Sequence, residues 1–158
     1  MIYLDAAYIA KFYVDEPDSE RVRAFLITAQ PAASCVHAVA EVASVFHRKL
    51  REGTVPQADF DFFCAQFDAD YDAGLWIWLP LPESLAHAAR RKISKLPSTV
   101  FLRAADALHL TCAAEEGCTA IHTSDRHLTA AAPAAFPASR QPWPDGWNAV
   151  CIQAGRVG

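Results

Sequence analysis

No stretch of this chain stays apolar for the ~20 residues that a membrane-crossing helix needs; the longest greasy run, Leu75 to Leu81, is only strand-sized. Cys-x-x-Cys spacing is missing, and the five cysteines (Cys35, Cys64, Cys112, Cys118 and Cys151) are odd in number. They read as small buried hydrophobes in a reducing compartment, not as a disulfide framework or a thiolate zinc site. No Lys or Arg precedes Asp5, which argues against a secretory leader and for a cytoplasmic protein. Nor is basic charge in excess: 14 Lys and Arg face 18 Asp and Glu, a formal net charge of −4. That excludes nucleic-acid binding by bulk charge while leaving room for a local basic rim. Internal repeats and linkers are absent, and the ten prolines follow no period, so the chain is neither fibrous nor low-complexity.

What is present is 158 residues, 53% of them apolar, enough for a single domain over residues 1–158 that buries roughly 68–70% of its unfolded surface. The opening run Met1-Ile2-Tyr3-Leu4, stopped by Asp5, has no polar alternation and fits a strand covered on both faces. Further strands are expected at 33–36, 76–79 and 119–123, with an edge strand at 149–152. Helices are expected at 6–13 and 19–28, and from His37 to a stop at Gly53, with Val39, Ala43, Phe46 and Leu50 on one face. Others should run from Pro56 to about Asp72 (Phe60, Phe63 and Phe67 on the apolar side), through 85–93, and over 102–116. Pro133 and Pro137 should break the segment that follows. Alternating strands and helices give an α/β layered domain with a mainly parallel sheet. Ligands of such sheets sit beyond the carboxyl ends of the strands, at the switch in strand order. Asp5 and Asp125 both stand directly after strands.

Two further acids lie where surface logic would not put them: Glu41 within Val39-Ala40-Glu41-Val42-Ala43, and Asp106 within Ala104-Ala105-Asp106-Ala107-Leu108. Each alone reads equally well as a cap or an ordinary ion pair. Four that converge would repel one another and need a neutraliser. No compact set of basic residues accompanies all four, so a hard divalent cation, Mg²⁺ or Mn²⁺, is the economical one.

The segments MIYLDAAYIAKFYVDEPDSE, AVAEVASVFHRKLREG, LRAADALHLTCAAEEG and IHTSDRHL resemble, in this order, the blocks of the PIN-domain nucleases, and among these the small VapC-type toxins of toxin–antitoxin pairs. The resemblance implies a PIN-like three-layer α/β domain whose central, mainly parallel sheet (order 3-2-1-4-5) is flanked by helices. It implies Asp5, Glu41, Asp106 and Asp125 as catalytic residues and ligands of Mg²⁺ (or Mn²⁺), and endoribonuclease activity through metal-activated water. It also implies an RNA substrate, a cognate antitoxin with a cationic tail, and a homodimer. One departure stands out: the family commonly carries Ser, Thr or Asn just after its first Asp, where this chain has Ala6 and Ala7. Loss of such a neighbour weakens metal binding or activity by ~10–100-fold. Thr123 and Ser124 remain beside Asp125 to hold water or orient a carboxylate.

Lys11, Arg103 and Arg126 are the cations expected to grip substrate phosphates, although solvated or carboxylate-paired side chains explain them equally well. His109 reads as a helix histidine bonded in or near the core. Phe12 and Tyr13 are candidates for an antitoxin groove. Two other functions fit parts of the sequence: a catalytically silent PIN-like module that binds RNA or protein, favoured by Ala6-Ala7, and a phosphotransfer enzyme or receiver, disfavoured by the acid-poor first loop.

Overall fold

The computed structural model describes residues 1–28, 31–118, 120–135 and 148–151. Among these residues, five strands, β1 (Ile2–Leu4), β2 (Ala32–Cys35), β3 (Ile77–Leu79), β4 (Ala120–Thr123) and β5 (Asn148–Cys151), alternate with seven helices. These are α1 (Ala6–Tyr13), α2 (Ser19–Thr28), α3 (Ala38–Arg51), α4 (Gln57–Asp72), α5 (Glu83–Ile93), α6 (Ala104–Glu115) and α7 (Arg126–Ala135). The strands form one sheet in the order β3-β2-β1-β4-β5, and every neighbouring pair is parallel.

Side chains of successive strand residues point to opposite faces, and β1 uses this to serve two cores. Leu4 joins residues of α1, α2, α3 and α4 on one face, including Ile9, Leu26, Phe46 and Phe67. Tyr3 joins Leu85 of α5, Leu110 of α6 and Leu128 of α7 on the other. The result is helix, sheet, helix: the three-layer α/β arrangement expected from the alternation of elements.

Local chemistry sets the boundaries. Gly117 ends α6 with φ +63°; its N–H reaches the Ala114 carbonyl and that of Cys118 the Ala113 carbonyl. This glycine closure needs a left-handed residue, and it turns the chain directly into β4. The stripe of α3 that enters the core is Ala38, Val42 and Phe46. Ala43, placed on the core face from periodicity, is exposed, because Ala38 enters the core and fixes the rotation of the whole helix. Pro133 lies inside α7 and does not break it. It is exposed in the last described turn, where the missing N–H removes a single hydrogen bond. Pro137, Thr119 and Ile152 fall outside the described residues. Tyr13 is also not a groove residue. It is buried, donates its hydroxyl hydrogen to Asp70 (2.9 Å) and accepts from the Trp76 indole (2.9 Å), while Phe12 packs edge-on against Trp76. Among the described residues, no helix is long and apolar enough to cross a membrane.

Candidate active site

The strand order reverses between β1 and β4, and the chain leaves both strands at the same edge of the sheet. The Asp5 backbone N–H donates to the His122 carbonyl (3.1 Å), tying the two strand ends together. Asp5 is buried and caps α1, its Oδ1 accepting the Tyr8 N–H at 2.7 Å. Its Oδ2 accepts the hydroxyl hydrogen of Thr123. The Thr123 oxygen in turn accepts the Asp125 N–H (2.8 Å). Asp125 then opens α7, its Oδ1 accepting the His127 N–H (2.6 Å), and its Oδ2 lies 3.5 Å from Arg103 Nη1. One threonine hydroxyl therefore joins the two strand-end acids.

Asp106, in the first turn of α6, is buried, and its Oδ2 has no hydrogen-bond partner among the described residues. Glu41, in the first turn of α3, is held from the side: His109 Nε2 lies 2.8 Å and His37 Nε2 3.5 Å from its Oε2. Asp5, Glu41, Asp106, His109, Arg48 and Arg103 share a cavity of about 290 Å³, with Ala6 and Ala7 in its wall. Asp125 borders this group through Thr123 and Arg103 without lining the cavity. Lys11 and Arg126 are likewise not among the lining residues. Ser124 keeps a buried hydroxyl without a hydrogen-bond partner among the described residues.

The electrostatics follow from this packing. Burial pushes Asp5 up to about 6, with the Asp125 charge adding to it, against the pull of His109 and the hydrogen bonds from Thr123 and Tyr8. Burial and then the Asp125 charge also raise Asp106, against the Arg103 guanidinium. Burial acts upward on Glu41 as well, but the His109 hydrogen bond and the two imidazoles outweigh it and hold this acid below its usual range. The cavity thus has two carboxyls that resist ionisation and one that is already compensated. A small hard cation fits the first pair. Asp106 offers a buried oxygen without a hydrogen-bond partner among the described residues, both oxygens of Asp5 are oriented by hydrogen bonds from the Tyr8 N–H and the Thr123 hydroxyl, and the ligand atoms the pair offers are all oxygen.

Several residues of the site escaped the sequence reading. Ser44 and Arg48 line the cavity with Glu41, and their offsets of three and seven from Glu41 are one helix face, a signal that was available. His37 and His109 were visible only as isolated histidines. Their meeting at Glu41 requires α3 and α6 to converge over the sheet edge.

A doubly covered parallel sheet with a carboxylate cavity at its switch point is the class that this geometry defines. The chain belongs to the PIN domain family, whose family model matches residues 2–133. Among solved structures, it is similar to the Mycobacterium tuberculosis toxin VapC20, which cleaves the sarcin–ricin loop (TM-score 0.66, 12% identity, covering 83% of this chain and 95% of that one). FitAcB from Neisseria gonorrhoeae is also similar (TM-score 0.67, 21% identity, 85% and 94% covered). At such identities these likenesses speak for the fold. No curated protein matches the chain in sequence.

Proposed function

We propose that this chain is a Mg²⁺-dependent endoribonuclease and the toxin of a type II toxin–antitoxin pair, acting in the cytoplasm as a single PIN-like domain over residues 1–158. The observation that carries the reading is the pairing of Asp5 and Asp106: two buried carboxyls raised above their usual range on one cavity, one with an unpartnered oxygen. Membership of the PIN family and the likeness to a ribosomal-RNA-cleaving toxin support it.

Asp5 and Asp106 would hold Mg²⁺ (or Mn²⁺), with Glu41 and Asp125 completing the acidic ring. When bound, such an ion lowers the pKa of water and neutralises charge developing on a phosphate. The residues of the chain do the rest. Thr123 locks the Asp5 carboxylate in one orientation and, through the Asp125 N–H, sets the start of α7. Ser124 offers a hydroxyl for an ordered water. Arg103, which caps α6, and Arg48 of α3, both lining the cavity, grip phosphate oxygens, and Lys11 and Arg126 extend that track. The antitoxin inhibits by placing a cationic tail among the same carboxylates, and a homodimer presents two such cavities.

A second reading, a silent RNA- or protein-binding module, has one specific observation in its favour: Ala6 and Ala7 place methyl groups in the cavity wall. Incubating the purified chain with RNA in Mg²⁺, in Mn²⁺ and in EDTA separates the two. The nuclease reading expects cleavage with either ion, none in EDTA, and loss in Asp106→Asn. No cleavage with either ion, or undiminished cleavage by that variant, overturns it.

A further inference from the structure

His37, Glu41 and His109 bring three ligand atoms within 4.8 Å of one another. We propose that these three side chains form a second site, for a zinc-class ion (Zn²⁺, Co²⁺ or Ni²⁺), adjoining the acidic cavity and sharing Glu41 and His109 with its wall.

Zinc–nitrogen and zinc–oxygen bonds of ~2.0–2.1 Å in a tetrahedron separate neighbouring ligands by about 3.3 Å. The observed separations bracket that value: Glu41 Oε2 lies 2.8 Å from His109 Nε2 and 3.5 Å from His37 Nε2. A plain ion pair accounts for His109 with Glu41 but leaves His37 only loosely held. Both its ring nitrogens are buried and, among the described residues, neither makes a hydrogen bond of good geometry, although the Cys35 thiol and the Ala105 backbone are within polar reach and a carboxylate and a second imidazole, its ring centroid 4.2 Å away, face the ring. Polar atoms buried in that way are rare in proteins and call for an explanation such as a bound ion.

The scaffold suits ligation. His37 and Glu41 are four apart where α3 begins, so they lie on one helix face. His109 crosses from α6 with its ring fixed from behind: the Tyr3 hydroxyl lies 2.8 Å from Nδ1 and itself accepts the Cys35 N–H at 3.0 Å. An outer partner on the far nitrogen is how metal-binding histidines are usually oriented. Glu41 and His109 line the cavity whereas His37 does not, so the site is closed behind and has a fourth position on the cavity side for water or exchange. Two imidazoles and a carboxylate select zinc-class ions over Mg²⁺, which prefers oxygen alone. One consequence rests on the proposed nuclease function: an ion here claims Glu41, so zinc-class ions inhibit Mg²⁺-dependent cleavage.

The test titrates the untagged, metal-free full chain with Co²⁺ and follows its visible absorption, then adds Zn²⁺ to displace it. One Co²⁺ per chain with nitrogen-ligand bands, bleached by Zn²⁺ and untouched by excess Mg²⁺, is expected. Asp106→Asn should keep the bands. His37→Asn, which puts a favoured N-cap residue at the start of α3, should weaken binding by more than ~100-fold, beyond the loss of an outer partner. Absence of the bands, or their persistence in His37→Asn, overturns the proposal. Because Co²⁺ binding is read without RNA, its failure and the failure of the nuclease reading are separate results.

Discussion

Asp5→Asn should make the metal-free protein more stable while abolishing RNA cleavage. The Asp5 carboxyl titrates near 6 in the folded chain against an ordinary 3.8. Each factor of ten in proton affinity is worth about 1.4 kcal/mol, so ionised Asp5 opposes folding by about 3 kcal/mol. The sign fixes the window. Below pH 3.8 the carboxyl is protonated in folded and unfolded chains alike and the penalty is absent. Between 3.8 and about 6 it grows, and above 6 it is complete. Asparagine keeps the carbonyl that caps Tyr8 and carries no charge, but it offers an N–H₂ where the Thr123 hydroxyl now donates, a loss of about 1 kcal/mol. The expected gain is therefore about 2 kcal/mol at pH 8, shrinking to nothing or slightly below by pH 4. Urea unfolding in EDTA at both pH values measures it. An Asp5→Asn protein no more stable than wild type at pH 8, or a gain equal at the two pH values, refutes the electrostatic account of this site.

Thr123→Val removes the donor to Asp5 and the acceptor for the Asp125 N–H; NMR titration should find the Asp5 carboxyl above 6, and cleavage should fall by ~10–100-fold. Thr123→Ser should restore both. Arg48→Ala should weaken single-stranded RNA binding in proportion to one lost phosphate contact, lowering the slope of log K against log salt by ~0.7, as read by fluorescence anisotropy. Tyr13→Phe loses the bonds to Asp70 and Trp76; thermal unfolding should show a loss of about 1–3 kcal/mol with cleavage unchanged.

The alternation of elements, the parallel sheet and the strand-end acids were readable because each rests on local chemistry. An apolar run broken by Asp5 has to be a buried strand followed by a cap. Glu41 and Asp106 stood out because acids in apolar helices need partners, and both line the cavity with Asp5. What could not be read were relations between distant residues. The sequence does not show that Glu41 is compensated by two histidines while Asp106 is not, since that depends on how α6 lies against α3. The rotation of α3, which leaves Ala43 outside, is decided by packing against α1 and α4. Pro133 differs for a simpler reason: it stands in the last described turn of α7, where the lost N–H affects one hydrogen bond and leaves the helix intact.

The hydrogen bond from Thr123 to Asp5 spans 118 positions of the chain. Nothing in the first two-thirds of the polypeptide can substitute for it, because β1 finds its second neighbour only in β4. A chain made only as far as Asp106 therefore lacks both the hydroxyl that orients Asp5 and the second strand that flanks β1. The bond that fixes the Asp5 carboxylate forms only once β4 has been made and has paired with β1.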